Sequence, residues 1–371
     1  MAPENQWYRI ENEDEVLSPS LLLYPERIEI NISKMVEMSG DIGRLRPHVK
    51  THKIPEIIKM QMNHGIYKFK CATVSEAEMV ARCGAKDILL AMQPVGPNIE
   101  RFFRLRKAFE NVNISCIADS EKILVQLSEM AVKFDTEAEI WIDINVGMDR
   151  TGIMPGEEAI RIYKCAENLP HLKAVGLHVY DGHIHDKVLS LRQKACAEAF
   201  TPVQKMKDDL RKAGFKKVRI VAGGSPTFPV HASGNDLELS PGTILLWDYG
   251  FSSSFSDMDF LHAAVLFTRV VSKPAKDLIC LDLGHKAVGS EMPQPRIMIP
   301  GIDDLSIISH SEEHLLIRTS QGRSMNPGDP LYAVPWHICP TVDRYDTVNV
   351  VTGSRVTGQW KVEARRRKIT F

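Results

Sequence analysis

A nine-residue segment near the start of the chain concentrates side chains that can do nucleophilic and acid–base chemistry. The segment LRPHVKTHK, residues 45–53, contains His48, Lys50, His52 and Lys53. A lysine that is partly desolvated, or that lies near another cation, loses its proton more easily and can then form an imine with a carbonyl compound. Lys50 ends a strand-like run and is therefore a candidate imine-forming nucleophile, with His48, Arg150 and Lys53 as possible sources of nearby charge.

The run that ends at Lys50 is the first of eight short apolar runs that alternate with helical patterns. In order they are LRPHVK, KFKCAT, DILLAM, NISCIAD, EIWIDINV, AVGLHVY, VRIVAGG and ELSPGTILL. Alternating strands and helices predict parallel pairing through right-handed crossovers, and eight units in roughly 200–250 residues favour a closed (β/α)8 barrel. An open doubly wound sheet is the alternative, but no GxGxxG or P-loop motif supports it.

Helix boundaries and a change of texture divide the chain further. SEAEMVARCGA predicts a helix with a capping box from Ser75 to Glu78 and an end at Gly84, and two longer helical patterns follow it, DSEKILVQLSEMAVKF and LSLRQKACAEAFTPVQKMKDDLRKAGF. After about residue 255 the strand-like runs are broken by Gly, Pro, Asp and Asn. We expect a barrel over residues 20–255 and a mainly β domain over residues 256–371, on which residues 1–19 pack.

Polar and small residues follow the predicted strands where a parallel barrel carries its chemistry, at the carboxyl ends of the strands. They are Arg150, His178, Tyr180, His183, Gly223, Gly224, Ser225, Thr227, Gly242 and Thr243. The GGSPT segment brings backbone N–H groups close to an anion, and the loops after strands seven and eight commonly bind phosphate in such barrels. A lysine together with a phosphate loop suggests pyridoxal phosphate, although each feature alone is more often a surface lysine or a simple turn.

The C-terminal region contains one pair of metal-ligand types. His337 and Cys339 are two residues apart, which on an extended strand places both side chains on one face. Two ligands leave open positions on Zn²⁺ for a substrate oxygen. The alternative is a cysteine that packs as a small hydrophobic residue.

Taken in order, the motifs make the sequence resemble the D-threonine aldolase and D-serine dehydratase family, whose N-terminal barrel is similar to that of alanine racemase. The motifs are RPHVKTHK, CATVSEAEMV, DINVGMDRTGI, LHVYDGHIHD, AGGSPTF, ELSPGT and HICPTV. The resemblance implies a homodimer in which Lys50 carries pyridoxal 5'-phosphate as an internal aldimine. It also implies that Arg150 approaches the phenolic oxygen of the cofactor and that Tyr180 meets the pyridine nitrogen.

The same resemblance assigns the remaining candidate site residues. Gly223, Gly224, Ser225, Gly242 and Thr243 would bind the phosphate, and His337 with Cys339 would bind a divalent metal, Zn²⁺ or alternatively Mn²⁺ or Mg²⁺. His52 belongs to the motif around Lys50 and, with His183 and His185, is a candidate for the catalytic base. Alanine racemase has an arginine where this chain has Ser240, which argues against racemase-like tuning of the ring.

The expected activity is cleavage of a β-hydroxy-D-amino acid to glycine and an aldehyde, as in D-threonine aldolase. The alternatives are a D-serine or D-3-hydroxyaspartate dehydratase that gives a keto acid and ammonia, an amino-acid racemase, and a pyridoxal-phosphate-binding protein without turnover. The preference for the aldolase rests on overall resemblance, because a thiolate ligand suits Zn²⁺ in either lyase.

Composition excludes several other classes of function. The 371 residues contain 46 Lys and Arg against 47 Asp and Glu, so there is no basic field for nucleic acid. No apolar run approaches the ~20 residues that a membrane-spanning helix needs. Seven cysteines without CxxC spacing, and a polar, acidic beginning of the sequence, predict a cytoplasmic protein.

Overall fold

The computed structural model describes residues 6–234 and 236–371. The strands are β1 (Ser20–Leu23), β2 (Lys68–Cys71), β3 (Asp87–Leu90), β4 (Asn113–Ala118), β5 (Ala138–Ile144), β6 (Leu172–Val179), β7 (Arg219–Ala222), β8 (Glu238–Leu239), β9 (Ala264–Ala275), β10 (Leu278–Leu281), β11 (Ile297–Met298), β12 (Ser306–His310), β13 (Leu315–Arg318), β14 (Pro330–Pro335), β15 (Thr347–Thr352) and β16 (Arg355–Lys361). The α-helices are α1 (Pro25–Ser39), α2 (Pro55–Asn63), α3 (Val74–Arg82), α4 (Pro97–Ala108), α5 (Glu121–Lys133), α6 (Glu157–Asn168), α7 (Leu189–Lys212), α8 (Phe228–Ala232), α9 (Tyr249–Ser252) and α10 (Ile338–Val342). None of these helices is long and apolar enough to cross a membrane.

Contacts divide the chain into two compact units. The barrel unit comprises Met35–Lys50, Ile58–Gly242 and Arg366–Phe371. The β unit comprises the described part of Met1–Lys34, together with Thr51–Ile57 and Thr243–Arg365. The division into one domain over residues 20–255 and a second over residues 256–371 stays a prediction.

Seven parallel strands, β2 to β8 in chain order, form the wall of the barrel unit. The short segment at residues 45–48, which we call the closing segment, completes the ring. Leu45 pairs with Leu239 of β8, and His48 pairs with Lys70 of β2, both in parallel. The amides of Arg46 and Lys70 donate across these two seams to Leu239 and Pro47, at N···O distances of 2.8 and 2.9 Å. The predicted eight-stranded barrel is therefore confirmed, with a first strand too irregular to form a continuous ladder.

The barrel interior is apolar in the middle and charged at the amino ends of the strands. Buried Leu89, Trp141 and Val221 pack together, and Trp141 Nε1 donates to Ser115 Oγ at 3.0 Å. At the amino ends, the fully buried Arg46 guanidinium donates to Asp87 at 2.7 and 3.0 Å and to Glu238 at 2.7 Å. Paired charges tolerate burial only with such geometry, so this layer fixes the closing segment against β3 and β8.

The β unit is built on a mainly antiparallel sheet in the order β12-β13-β10-β9-β1-β15-β16. Strand β14 pairs with β9 and β11, and the pairing of β1 with β15 is parallel. Tyr8, Leu22, Phe267 and Tyr332 belong to its buried core. The prediction of a mainly β C-terminal region is confirmed.

Three local predictions met different outcomes. Helix α7 spans the predicted long helix despite Pro202, and Gly84 follows α3 with a φ of +96°, as a helix-ending glycine requires. The predicted capping box at Ser75 and Glu78 is wrong. Thr73 caps α3 instead, by accepting from the amide of Glu76 at 3.1 Å. The carboxylate of Glu76 in turn accepts from the amide of Ala72, the residue before the N-cap, so the capping interactions lie two residues earlier than predicted.

Candidate active site

The ring of Tyr180 is the centre of a cluster at the carboxyl ends of the barrel strands. Arg150 lies over this ring with its guanidinium carbon 4.7 Å from the centroid. Lys50 Nζ lies 5.7 Å and Lys70 Nζ 5.8 Å from the same centroid. Three cationic side chains thus converge on one aromatic ring, where a cation is attracted to the π face. The structure brings together the predicted Lys50, Arg150 and Tyr180, and it adds Lys70.

Lys50 is positioned by the end of the closing segment. It lies half-buried in a 3-10 turn at Val49–Thr51, and its amide is 3.4 Å from His48 Nδ1. Burial and the charge of Lys50 hold the pKa of the His48 imidazole well below its ordinary value. His48 is therefore neutral at pH 7, which excludes it as the charged neighbour that the sequence suggested.

A buried carboxylate–imidazole pair lies within the barrel on neighbouring strands. Asp143 on β5 and His178 on β6 are a register pair, and His178 Nδ1 is 2.7 Å from Asp143 Oδ1. Burial lowers the pKa of His178, while burial would raise that of Asp143 but the bond to His178 keeps it below its usual value. A neutral His178 then donates from Nδ1 to an ionised Asp143. Within the described chain, His178 Nε2 is buried with no hydrogen-bond partner.

The GGSPT segment forms a tight loop directly after β7. Gly223 has a φ of +78°, and a Cβ there would lie 2.8 Å from the His231 ring, so only glycine fits. A Cβ on Gly224 would lie 3.3 Å from Cε2 of Tyr180. The Gly242 amide lies 3.3 Å from Ser225 Oγ. The barrel unit thus gathers four of the five predicted phosphate-binding residues, while Thr243 begins a turn of the β unit.

Asp181, which no local sequence pattern marks as a site residue, holds the GGSPT loop in place. Its two carboxylate oxygens bind the Thr227 hydroxyl at 2.9 Å and His231 Nε2 at 2.6 Å. Thr227 Oγ1 in turn accepts from the Gly224 amide at 3.2 Å. The carboxylate is fully buried. Asp181 therefore connects the loop after β6 to the loop after β7.

Replacing Asp181 by asparagine should loosen the GGSPT loop. The amide removes a charge-assisted bond, a loss of about 1.5–3 kcal/mol in comparable cases, so we expect affinity for the pyridoxal phosphate that the sequence predicts to fall about 10- to 100-fold. An absorbance titration of the cofactor-free protein measures this change. Asp186→Asn, an exposed site in the same stretch, is the matched control. Equal affinities in both variants would contradict the bracing role.

Asp181 is also part of the one three-residue cluster with metal-ligand spacing among the described residues. Its carboxylate, the Cys196 thiol and the His231 ring lie within 4.8 Å of one another, all buried. Burial raises the pKa of Cys196 to about 12, so its sulfur stays protonated at pH 7. With Asp181 and His231 already bonded to each other, we interpret this cluster as structural.

The predicted metal pair lies in the β unit, but its local structure was predicted wrongly. His337 is the N-cap of helix α10 and Cys339 lies in that helix, where an extended strand was expected. The two side chains nevertheless interact. Burial would lower the pKa of His337, but the contacts of its ring with Cys339 and with Glu291 at Nδ1 outweigh burial and raise this pKa to about 9. Cys339 Sγ also contacts the hydroxyls of Thr51 and Thr243, at 3.3 and 3.6 Å.

The remaining histidine candidates differ in surroundings. His52 lies in the β unit, completely buried, and its Nδ1 accepts from the Ile54 amide at 3.1 Å. Burial lowers its pKa to about 3, so it is neutral at pH 7. His183 is half-buried and His185 is exposed. Lys53 is paired with Asp343 at 2.6 Å. The assignment of a base stays a prediction.

Comparison with known proteins is consistent with this architecture. The sequence profile of alanine racemase N-terminal domains matches residues 24–250, and that of a serine dehydratase domain matches residues 263–351. The chain is 29% identical over 355 residues to a D-threonine aldolase from Arthrobacter sp, covering 94% of this chain and 92% of that protein. It is 30% identical over 366 residues to a 3-hydroxy-D-aspartate aldolase from Paracoccus denitrificans (strain Pd 1222), covering 95% and 93%.

A solved structure agrees with the fold. The crystal structure of D-threonine aldolase from Filomicrobium marinum superposes with a TM-score of 0.89 at 24% identity, covering 97% of this chain and 98% of that one. By the match of its barrel, and by its likeness to these aldolases over nearly their full length, the chain belongs to the D-threonine aldolase and D-serine dehydratase family.

Proposed function

We propose that this protein is a pyridoxal-phosphate- and metal-dependent lyase that cleaves β-hydroxy-D-amino acids to glycine and an aldehyde, as a D-threonine aldolase does. The observation that carries the proposal is the convergence of Lys50 and Arg150 on the Tyr180 ring, beside the GGSPT loop at the carboxyl ends of the strands. An amine, an aromatic ring, a guanidinium and a glycine cradle are what a phosphorylated pyridine aldehyde needs.

The residues present fit the cofactor. Lys50 would carry it, Arg150 would approach its phenolic oxygen, Tyr180 would meet its ring nitrogen, and the GGSPT loop with Gly242 and Thr243 would hold its phosphate. Ser240 Oγ, at the same end of the barrel, is buried with no hydrogen-bond partner in the described chain. Bound pyridoxal phosphate withdraws electrons from the substrate α-carbon, which is the chemistry that the side chains alone lack.

The metal donors also fit their ion. A thiolate and an imidazole are the ligands that Zn²⁺ prefers, and Glu291 at His337 Nδ1 is the kind of carboxylate partner that fixes a ligating histidine with Nε2 toward the metal. A divalent ion there would polarise the substrate hydroxyl. Zn²⁺ is our choice, with Mn²⁺ or Mg²⁺ as the alternatives.

The proton transfers fall to residues of this chain. A base removes the proton of the β-hydroxyl, the Cα–Cβ bond breaks to release the aldehyde, and a proton returns to the α-carbon to complete glycine. An imidazole side chain can accept the hydroxyl proton, and His52, His183 and His185 are the candidates. Burial lowers the pKa of His52 to about 3, and its Nδ1 already accepts from the Ile54 amide, so His52 is the weakest base of the three.

A dehydratase is the second candidate, because residues 263–351 match a serine dehydratase domain. In that reaction Lys50 would take the α-proton and the hydroxyl would leave as water, and a water molecule would then hydrolyse the dehydrated product to a keto acid and ammonia. Incubation with D-threonine, D-serine and D-3-hydroxyaspartate decides between the two. Glycine with an aldehyde supports the aldolase, whereas a keto acid with ammonia supports the dehydratase. A change of chirality alone would favour a racemase, and no product would favour a cofactor-binding protein without turnover.

Replacing Cys339 by serine should weaken metal binding and slow turnover. The hydroxyl keeps the size of the side chain but is a poor ligand for Zn²⁺, so we expect metal content and kcat to fall together by at least about tenfold. Metal analysis after dialysis, with activity restored by added Zn²⁺, measures both. Cys280→Ser, in β10 of the same unit, is the control. A variant that keeps its metal and activity would contradict the assignment.

The proposal extends to the state and location of the protein. We propose a homodimer and a cytoplasmic location, and the location is supported by seven cysteines that form no disulfide bond. We further propose that residues 20–255 act as the cofactor-binding module and residues 256–371, with residues 1–19, as the metal-binding module.

A further inference from the structure

Lys70 is a buried lysine for which the proposed chemistry has no role so far. The residue is 2% exposed and lies on β2 next to the closing segment. Its amine lies as close to the Tyr180 centroid as that of Lys50, so the two amines are within about 12 Å of each other. Lysines are almost never fully buried unless they are paired.

The surroundings of Lys70 leave its charge without a dedicated partner. Among residues 6–234 and 236–371, no carboxylate lies within salt-bridge distance of its amine. Asp143 and Asp181 act on it from further away, but Asp143 is bonded to His178, and Asp181 to His231 and Thr227. The charged and titratable groups that face it from the surrounding elements are Arg46, His48, Lys50, Asp143, Arg150, His178, Tyr180 and Asp181.

We propose that Lys70 is a tuning residue, whose ammonium group opposes a second positive charge on the nitrogen of Lys50. This inference rests on the proposed function, since the nitrogen of Lys50 must form the linkage to the cofactor. Two cations in a low-dielectric interior raise each other's energy, so each favours the neutral form of the other. Lys70 would thereby favour an unprotonated cofactor linkage at Lys50.

The titration of Lys70 agrees with this arrangement. Burial, followed by the charge of Lys50, lowers its pKa to about 7. Its influence is therefore fully present below neutral pH and fades as Lys70 loses its proton. An arginine at the same position would keep the charge at every accessible pH, and a methionine would remove it while keeping the length of the side chain.

Absorbance titrations of the holoenzyme test the role without relying on activity. The pH midpoint of the visible absorbance of the cofactor linkage is measured in Lys70→Met, Lys70→Arg and the wild type. At an effective dielectric constant near 20, one charge at this separation moves the midpoint by about one pH unit. We expect the midpoint of Lys70→Met to lie about one unit above that of Lys70→Arg, with the wild type at or between them.

The control and the contrary results are distinct. Lys68→Met removes a lysine from the same strand, whose amine binds Glu238 and the Gly43 carbonyl instead, and it should leave the midpoint unchanged. Equal midpoints in Lys70→Met and Lys70→Arg would overturn the tuning role. Should Lys70→Arg not fold, Lys70→Met is compared with the wild type below pH 7, where Lys70 carries its charge. Equal midpoints in that comparison would also overturn the tuning role. A wild type with no borohydride-reducible absorbance would overturn the proposed function itself.

Discussion

Lys50→Ala is expected to lose the visible absorbance of the cofactor linkage together with all turnover above background. The amine is the only group that the proposed chemistry uses to attach pyridoxal phosphate, and alanine leaves no nucleophile at that position. Absorbance spectra with and without borohydride, followed by peptide mapping of the reduced protein, measure the linkage. Product assays measure the activity in parallel.

Peptide mapping is needed because the amine of Lys70 lies as close to the Tyr180 ring as the amine of Lys50 does. A reduced cofactor found on Lys50 in the wild type confirms the assignment, and one found on another lysine contradicts it. Lys59→Ala, an exposed position on α2, is the control and should keep both absorbance and activity. An unchanged spectrum in Lys50→Ala would remove Lys50 from the mechanism.

Arg46→Met should destabilise the whole barrel. Arg46 is completely buried and neutralises Asp87 and Glu238, so its loss leaves two largely buried carboxylates with weaker partners. Breaking a buried ion pair on one side costs about 3–5 kcal/mol. Urea unfolding of the cofactor-free protein measures the free energy of unfolding. Arg104→Met, which removes an exposed pairing with Glu100 on α4, is the control and should change little.

The same variant has a predictable pH dependence. Burial alone would raise the pKa of Asp87, but Arg46 outweighs burial and holds it below its usual value. The wild-type pair therefore contributes stability above about pH 4, and it loses this contribution as the pH falls through the lowered pKa. Without Arg46 that loss is absent. We expect the unfolding free energy of Arg46→Met to fall less steeply on acidification below pH 4, and parallel curves would contradict this account.

The sequence predicted the barrel well because its short apolar runs alternate regularly with helical patterns. All eight apolar runs form or complete the ring, and the rim positions of Lys50, Arg150 and Tyr180 followed from the rule for parallel barrels. The closing segment was predicted as a strand, yet it only makes isolated pairs. Its short length and Pro47, which cannot donate a ladder hydrogen bond, explain the difference.

Local sequence patterns could not predict the features that depend on contacts between distant parts of the chain. Two overlapping capping boxes fit the sequence before α3, and only the structure shows that Glu78 instead accepts from Thr370 at the other end of the chain. His337 and Cys339 were placed on a strand because their spacing suits one, although the chain turns into α10 there. No local pattern marks Lys70, because a lysine in a strand is usually exposed, whereas the barrel turns this position inward.

The closing segment gives the enzyme a dependence between assembly and reactivity. Its four residues join the last strand to the first, and the next turn presents Lys50. We expect any loosening of that junction to displace Lys50, the proposed attachment point of the cofactor, before the rest of the barrel is disturbed. Heat, acid or mutation should therefore abolish activity before the protein unfolds globally, so that loss of activity measures the state of this junction.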